Sequence, residues 1–419
     1  MEALTEIRAQ LHKLRIGMIG IGVGGAEILH AMESMDQIDL VAGADIVPAT
    51  LERFARRYPE ARTYLSVEDL CDDPNVEAVW VSSPNRLHAE HAIIAAERGK
   101  HVVVEKPMAT TLEDANRMVE AAERNGVRLL AGHTRAFATP IRAMRRLIVS
   151  GRHGDLRALN IWSYSDWMLR PRTQDELDLA QGGGIPYRQG PHQVDTVRLL
   201  GGGMLRSMRA QVGQWMSERP IPGYYAAFLE FENGVPATIV HNGYGYFVGA
   251  ELVPWGEDKC IYDAEERTRI RKTMRDGTRD EATEKQAIRI GGEREKEYFR
   301  TASGPAWVPE DMGFAIASLD RADIRQSRYG LFVHGDGGKR DIEIAGGSEN
   351  AIAQRRAELE ELYAAVVGGQ RLGHDGRWGM ATLEVCLAIM QSAAERREIM
   401  LNHQVAVPAA YDADMPVPN

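Results

Sequence analysis

The stretch Arg15-Ile-Gly-Met-Ile-Gly-Ile-Gly-Val-Gly-Gly-Ala-Glu27 decides the fold. It sets Gly20, Gly22 and Gly25 in the spacing G-x-G-x-x-G, after an apolar run and before a helical pattern that opens at Val23. Each glycine has its own reason. Gly20 permits the tight turn. Gly22, having no side chain, lets a pyrophosphate approach the backbone. Gly25 lets the helix lie close to the strand. The unpaired N–H groups and positive end of that helix then suit a phosphate.

The next apolar run, Leu40 to Ala44, ends in Asp45. A carboxylate at the end of a second strand accepts hydrogen bonds from adenosine ribose hydroxyls and repels a 2′-phosphate. Asp45 is followed by Ile46-Val47-Pro48, with no cation beside it. The expected cofactor is therefore NAD rather than NADP, although Arg53, Arg56 and Arg57 follow further along.

A chain of 419 residues suits two or three domains. Its net charge of −10 argues against nucleic acid as a partner. Met1 to Leu14 is polar and helical in pattern, without the shape of a signal peptide, and no apolar run is long enough to span a bilayer. Cys71, Cys260 and Cys386 are far apart and show no paired spacing. The expectation is a reduced, cytoplasmic protein without disulfides or a metal site.

Strand and helix patterns alternate up to Ala131, which predicts a parallel sheet covered by helices. Strands are expected at 16–19, 40–45, 78–81, 101–104 and 127–131. Thr111-Leu-Glu-Asp114 reads as a capping box for a helix closed by Gly126. Pro140 to Val149 reads as a basic amphipathic helix. Longer alternating strands are then expected at 156–164, 204–214, 225–231 and 237–242, which predicts a mostly antiparallel open sheet in an α+β domain. Glu257 to Glu310 is highly charged with weak periodicity and reads as an inserted, partly mobile surface lobe. Helices are expected at 351–367 and 381–396. The predicted organisation is a Rossmann domain over 1–136, an α+β domain over 137–404, and an extended tail over 405–419.

Three segments carry candidate chemistry. Glu105-Lys106-Pro107 follows a buried strand, and the C-terminal ends of parallel strands are where open α/β sheets bind ligands. A lysine there can face a nicotinamide and a substrate hydroxyl. Ser83-Pro84-Asn85 with His88 ends the preceding strand in the same way. In the third segment, Arg188, His192 and Asp195 fall at i, i+4 and i+7 and would share a face of one helix. The pKa of an ordinary histidine suits His192 to removing a hydroxyl proton.

These segments together resemble the Gfo/Idh/MocA oxidoreductase family, over about 14–250 and again over 350–405. The resemblance rests on Gly20 to Gly25, Pro84-Asn85 with His88, Gly99-Lys100-His101, Glu105-Lys106-Pro107, and Gly182-Gly-Gly with His192 and Asp195. It implies hydride transfer between NAD(P) and a carbinol carbon, with Lys106 as catalytic lysine and His192 as acid/base. It also implies a homo-oligomer, dimer or tetramer, built through the open sheet.

Many family members carry Asp four residues before that histidine, where this chain has Arg188. An arginine is no base but offers a two-pronged grip on a carboxylate. Arg135, Arg170 and Arg172 add charge, and Trp162, Trp167 and Tyr187 offer flat walls for a ring. Tyr187 to Asp195, Gly132-His-Thr-Arg135 and His374 to Cys386 are similar to the phthalate 4,5-cis-dihydrodiol dehydrogenase subgroup. That likeness implies aromatic catabolism, with a carboxylated ring diol as small-molecule substrate and 4,5-dihydroxyphthalate as product. The rival expectations are a sugar, cyclitol or glycoside dehydrogenase of the same family, and an NAD-binding sensor without catalysis.

Overall fold

The computed structural model describes residues 12–256, 261–295, 307–309, 312–344, 351–409, 411–412 and 415–418. These group into two compact units. The first draws on 12–133, 286–295 and 351–383, the second on 134–285, 307–344 and 384–418.

The first unit alternates β1 (Leu14–Ile19), α1 (Val23–Glu33), β2 (Ile38–Ala44), α2 (Pro48–Arg57), β3 (Arg62–Tyr64), α3 (Val67–Asp72), β4 (Ala78–Val81), α4 (His88–Glu97), β5 (His101–Glu105), α5 (Leu112–Asn125) and β6 (Leu129–Gly132). The strands form a parallel sheet in the order β3-β2-β1-β4-β5-β6. This is the doubly wound dinucleotide order, and its topological switch lies between β1 and β4. All four residues of β4 are buried, as helix-covered parallel strands require. Thr111 caps α5 by accepting a hydrogen bond from the Asp114 N–H at 3.1 Å, and Gly126 ends it at φ +65°, as the capping box predicts.

The sequence reading gave all of 137–404 to the second domain, and here the structure differs. The helix Ala351–Val366 contributes buried Leu359, Leu362 and Ala365 to the core that holds Leu14, Ile16, Met18 and Trp80. Ile290 and Leu372 join the same core. Apolar surface is buried where a matching core exists, whatever the distance along the chain.

The second unit holds α6 (Thr139–Val149), β7 (Leu156–Tyr164), α7 (Ile185–Arg188), α8 (Gly190–Gly201), β8 (Leu205–Gly213), β9 (Tyr224–Phe231), β10 (Pro236–Asn242), α9 (Ala264–Arg275), α10 (Glu281–Ala287), β11 (Phe314–Leu319), β12 (Ala322–Gln326), β13 (Gly330–Gly335), β14 (Gly338–Glu343) and β15 (Ile399–Met400). Its nine-stranded sheet runs β14-β13-β12-β11-β7-β10-β9-β8-β15, antiparallel except where β7 meets β10. One face is buried. On the other, Trp162 and Phe228 are 46% and 49% exposed.

The sequence reading missed β3, α3 and the β11–β14 meander. For the last hairpin a signal existed, since Asp336-Gly337 between two short strands is a turn pair. The charged lobe is also corrected in part. Its described residues include α9 and α10, and Ile270 and Met274 of α9 are buried with Leu169 and Tyr262. Residues 257–260, 296–306 and 310–311 of that lobe, like 1–11 of the predicted polar helix, lie outside the described residues. The tail is held at Asp412, whose carboxylate takes the Arg145 Nε–H at 2.6 Å.

Leu362→Ala is expected to lower stability to urea by about 2–5 kcal/mol, the range for a buried leucine leaving a cavity. An unmoved denaturation midpoint would show that this helix is not part of the first unit's core.

Candidate active site

In the first unit the glycine turn follows β1. Gly20 sits at φ +84°, and a Cβ there would fall 2.7 Å from the Ser83 amide nitrogen. A Cβ on Gly25 would lie 3.1 Å from the Gly20 carbonyl oxygen, whereas one on Gly22 would meet nothing within 4 Å. The first and third glycines are thus required by the fold itself. The second borders open space at the start of α1, whose first residue is Val23. That is the cradle a pyrophosphate needs.

Asp45 follows β2. Its two carboxylate oxygens accept from the Ile21 and Val47 N–H groups, each at 2.9 Å. This fixes the carboxylate beside the glycine turn and leaves lone pairs for ribose hydroxyls. Of the nearby arginines, Arg57 is committed to Glu33 at 3.1 Å and Glu295 at 3.0 Å.

The loops after β4 and β5 are tied together by one histidine. Asn85 opens a 3₁₀ turn and His88 begins α4. The buried His88 ring reaches the Ser83 carbonyl oxygen through Nε2 at 2.7 Å and the Pro107 carbonyl oxygen through Nδ1 at 2.8 Å. Pro84 and the half-buried Lys106 therefore belong to two loops joined at their backbones. The Lys106–Pro107 peptide is cis.

Glu105 ends β5 and is anchored from below. Arg355 lies 2.9 Å from Glu105, 3.1 Å from Glu358 and 3.4 Å from Glu27. Its guanidinium stands 5.6 Å from the Trp80 ring centre. Three carboxylates around one buried arginine leave an excess of negative charge. Burial first, and then Glu105, push Glu358 up to about 7 against the pull of Arg355. Sequence reading missed this network. Its only trace was an Arg-Glu pair at i, i+3 on a late helix.

In the second unit one expectation fails. Arg188 does not share a helix with His192 and Asp195. It ends α7, and α8 begins at Gly190. Pro191 has no N–H to continue a helix from Arg188, and the chain is interrupted at Gln189. His192 and Asp195 are both buried on α8, one turn apart. Tyr187 and Arg188 are half-buried, as is Arg135 in the 3₁₀ turn Thr134–Phe137. Burial raises the Tyr187 phenol above its ordinary value.

Trp167 is buried, and the Arg172 guanidinium covers its ring at 3.7 Å. Arg170 pairs with Asp166 at 3.0 Å, which gives it a structural partner. The Trp167–Pro171 backbone is held by cations at every carbonyl oxygen. Trp167 accepts from Arg172 (2.9 Å), Met168 and Arg170 from Arg219 (3.1 and 3.2 Å), Leu169 from Arg279 (2.6 Å) and Pro171 from Lys285 (3.2 Å). Arg279 and Lys285 come from the charged lobe, which thus shapes this loop.

Below the loop, Glu176 takes Lys285 at 2.9 Å and Arg172 at 3.3 Å. Burial opposes the Glu176 charge, but Arg172, Lys285, Arg188 and the Thr173 N–H hold its pKa far below the usual carboxylate range. At Arg188 the balance goes the other way. Burial lowers its pKa despite the pull of Glu176 and Asp175. Among the described residues, no group of three or more His, Cys, Asp or Glu side chains is arranged to hold a metal. No helix among them is long and apolar enough to cross a membrane.

Two tests follow from the geometry. Gly20→Ala is expected to lower the thermal midpoint of the free protein, while Gly22→Ala should leave it in place and weaken NAD binding. Equal midpoint losses would remove the phosphate role of Gly22. Glu358 holds a proton in the native state at pH values where the unfolded chain has lost it. Its contribution therefore falls as pH rises from about 4.5 to 7, by about 1.4 kcal/mol per unit at most. Glu358→Gln should flatten that slope in denaturation series. An unchanged slope would place the titration elsewhere.

Comparison with known proteins agrees with this architecture. The model of the oxidoreductase family with an NAD-binding Rossmann fold, GFO_IDH_MocA, matches residues 14–133. The GFO/IDH/MocA C-terminal domain matches 141–247. The chain is 33% identical to a 1-carboxy-3-chloro-3,4-dihydroxycyclohexa-1,5-diene dehydrogenase from Comamonas testosteroni, over 90% of this chain and 94% of that one. It is 26% identical to the scyllo-inositol 2-dehydrogenase (NADP(+)) of Bacillus subtilis, over 96% and 100%. A crystal structure of a provisionally named dehydrogenase from Bordetella bronchiseptica RB50 superposes with a TM-score of 0.83 at 32% identity, over 93% of this chain and all of that one. With both domain models matched and a relative aligned along nearly its whole length, the chain belongs to the Gfo/Idh/MocA family of oxidoreductases.

Proposed function

We propose that this oxidoreductase oxidises a ring carbinol that carries a carboxylate, a carboxylated aromatic cis-dihydrodiol such as phthalate 4,5-cis-dihydrodiol, with NAD as cofactor. The observation that carries the substrate class is Arg188. It is a partly buried guanidinium whose burial outweighs the carboxylates around it, so an added anion is favourable. The Comamonas relative, whose name includes a carboxylated cyclohexadiene diol, supports the same reading.

The first unit fits a dinucleotide by its open Gly22 cradle and by the fixed Asp45 carboxylate, which favours NAD over NADP. When bound, the nicotinamide supplies the acceptor for the hydrogen on the carbinol carbon. Lys106 stabilises the negative charge that develops on the carbinol oxygen. His192 accepts the hydroxyl proton. Arg188 holds the carboxylate by paired N–H donors. Oxidation of a ring diol of this kind gives a hydroxy-ketone that enolises to a catechol, so aromaticity draws the reaction forward. Ser83, Asn85 and His88 set the loops that carry Lys106, and Arg135 and Tyr187 border the ring.

A neutral cyclitol is the competing substrate class, supported by the Bacillus relative. Arg188 weighs against it, because a guanidinium gains more from a carboxylate than from a neutral hydroxyl. The half-exposed Trp162 and Phe228 on the open sheet support association with further copies of this chain.

Lys106→Ala should cut kcat about 10²-fold or more while leaving NAD binding in place. Arg188→Gln should raise KM for a carboxylated dihydrodiol about thirtyfold or more and leave an uncharged dihydrodiol unaffected. Equal effects on both diols would take the carboxylate away from Arg188.

A further inference from the structure

Lys106 stands between two anchored neighbours. On its C-terminal side the Pro107 carbonyl oxygen is bonded to the His88 ring at 2.8 Å. On its N-terminal side Glu105 is ion-paired at 2.9 Å with Arg355, which is buried. A single backbone step separates the lysine from each anchor, so its side chain starts from a fixed place.

Arg355 comes from the helix Ala351–Val366, far along the chain, and divides its two terminal nitrogens between separate partners. Nη1 meets Glu358, one turn along the same helix, at 3.1 Å. Nη2 meets Glu105 at 2.9 Å and Glu27 at 3.4 Å. Glu27 lies one turn beyond Val23, in the helix that opens at the Gly22 cradle. One nitrogen therefore bridges the strand end that leads into Lys106 and the helix that begins at the glycine turn. The guanidinium also stands 5.6 Å from the ring centre of Trp80 on β4, the strand that leads into Ser83-Pro84-Asn85. Space is kept for the cluster. Gly132 faces Glu105 in the sheet register, and a Cβ there would come 3.3 Å from a Glu358 carboxylate oxygen.

Stability does not explain such an arrangement. Apolar side chains of the same volume hold a core together as well as buried ion pairs do, or better. What a guanidinium adds is direction, since its N–H groups leave in one plane at fixed angles. We propose that Arg355 is the positioning residue of Lys106, and that its Nη2, by taking Glu105 and Glu27 together, sets the lysine ammonium in register with the dinucleotide cradle. This rests on the reading of Lys106 as the group that stabilises charge on the carbinol oxygen. It adds to that reading a buried residue that acts through Glu105 and that no sequence motif marks. A misplacement of about 1 Å at reacting groups lowers a rate by about 10²-fold, which sets the scale of the effect.

Kinetics and crystallography test this together. Rates are read by NADH absorbance, with NAD and whichever of a phthalate cis-dihydrodiol, a non-carboxylated cis-dihydrodiol, myo-inositol or glucose is oxidised fastest. Arg355→Met should lower kcat about thirtyfold or more and leave the KM for NAD within about twofold. Arg355→Lys should recover most of the rate, because one ammonium can still bridge Glu105 and Glu27. In a Lys106→Ala background Arg355→Met should cause no further loss of kcat, since residues that act as a unit are not additive. An equal loss in both backgrounds, an unchanged kcat, or a loss confined to the KM for NAD overturns the proposal. If Arg355→Met does not fold, Glu105→Gln takes its place in the same cycle with the same expected pattern, because it keeps the shape and removes the charge that Arg355 meets.

Crystals of the NAD-bound protein separate this proposal from the reading it rests on. In Arg355→Met, or in Glu105→Gln, the Lys106 ammonium should shift by about 1 Å or more from its wild-type place. A shifted lysine in a protein that keeps full turnover as Lys106→Ala retains the positioning and removes the role of Lys106. An unshifted lysine, with turnover lost in Lys106→Ala, retains that role and removes Arg355. Absence of turnover on all four substrates removes the reaction and leaves the shift of Lys106 to decide for or against Arg355.

Discussion

A charge withdrawn from water must be met by an opposite charge or by oriented dipoles, and this requirement organises both units of the protein. In the first unit, one buried arginine, Arg355, gathers Glu27, Glu105 and Glu358 beneath the strand end that carries Lys106. In the second, Arg172 and Lys285 meet Glu176, and together with Arg219 and Arg279 they donate to the backbone carbonyls of Trp167–Pro171. The first cluster sheds part of its excess negative charge by holding the Glu358 pKa up.

The parts of the molecule legible in the sequence are those that local physics determines. The turn at Gly20 needs a positive φ and a gap for the Ser82–Ser83 backbone, and only glycine meets both. The cap at Thr111 and the stop at Gly126 involve residues a turn apart, so a sequence pattern can carry them. The end of β2 at Ala44 placed Asp45 beside Ile21 because sheet order follows from right-handed crossovers.

What was not legible depended on distant partners or on a single interruption. The helix Ala351–Val366 looks like any amphipathic helix until Leu359 and Leu362 are seen in the first unit's core. The Glu257–Glu310 lobe reads as solvent-facing because of its charge, yet its Arg279 and Lys285 point their charges at carbonyl oxygens rather than at water. The spacing of Arg188 and His192 fits one helical face, and Pro191 divides that face between two helices. Arg170 has Asp166 as an ion-pair partner, and Arg172 pairs with Glu176, neither of which the spacing of charges in the sequence marks. Packing decided which partners those residues meet within the fold.

The most direct measurement is NADH formation, followed by absorbance, with purified protein, NAD and four substrates: a phthalate cis-dihydrodiol, a non-carboxylated cis-dihydrodiol, myo-inositol and glucose. Turnover concentrated on the carboxylated diol is the predicted result. Turnover of inositol or glucose with none of the carboxylated diol would contradict it and return Arg188 to a structural role.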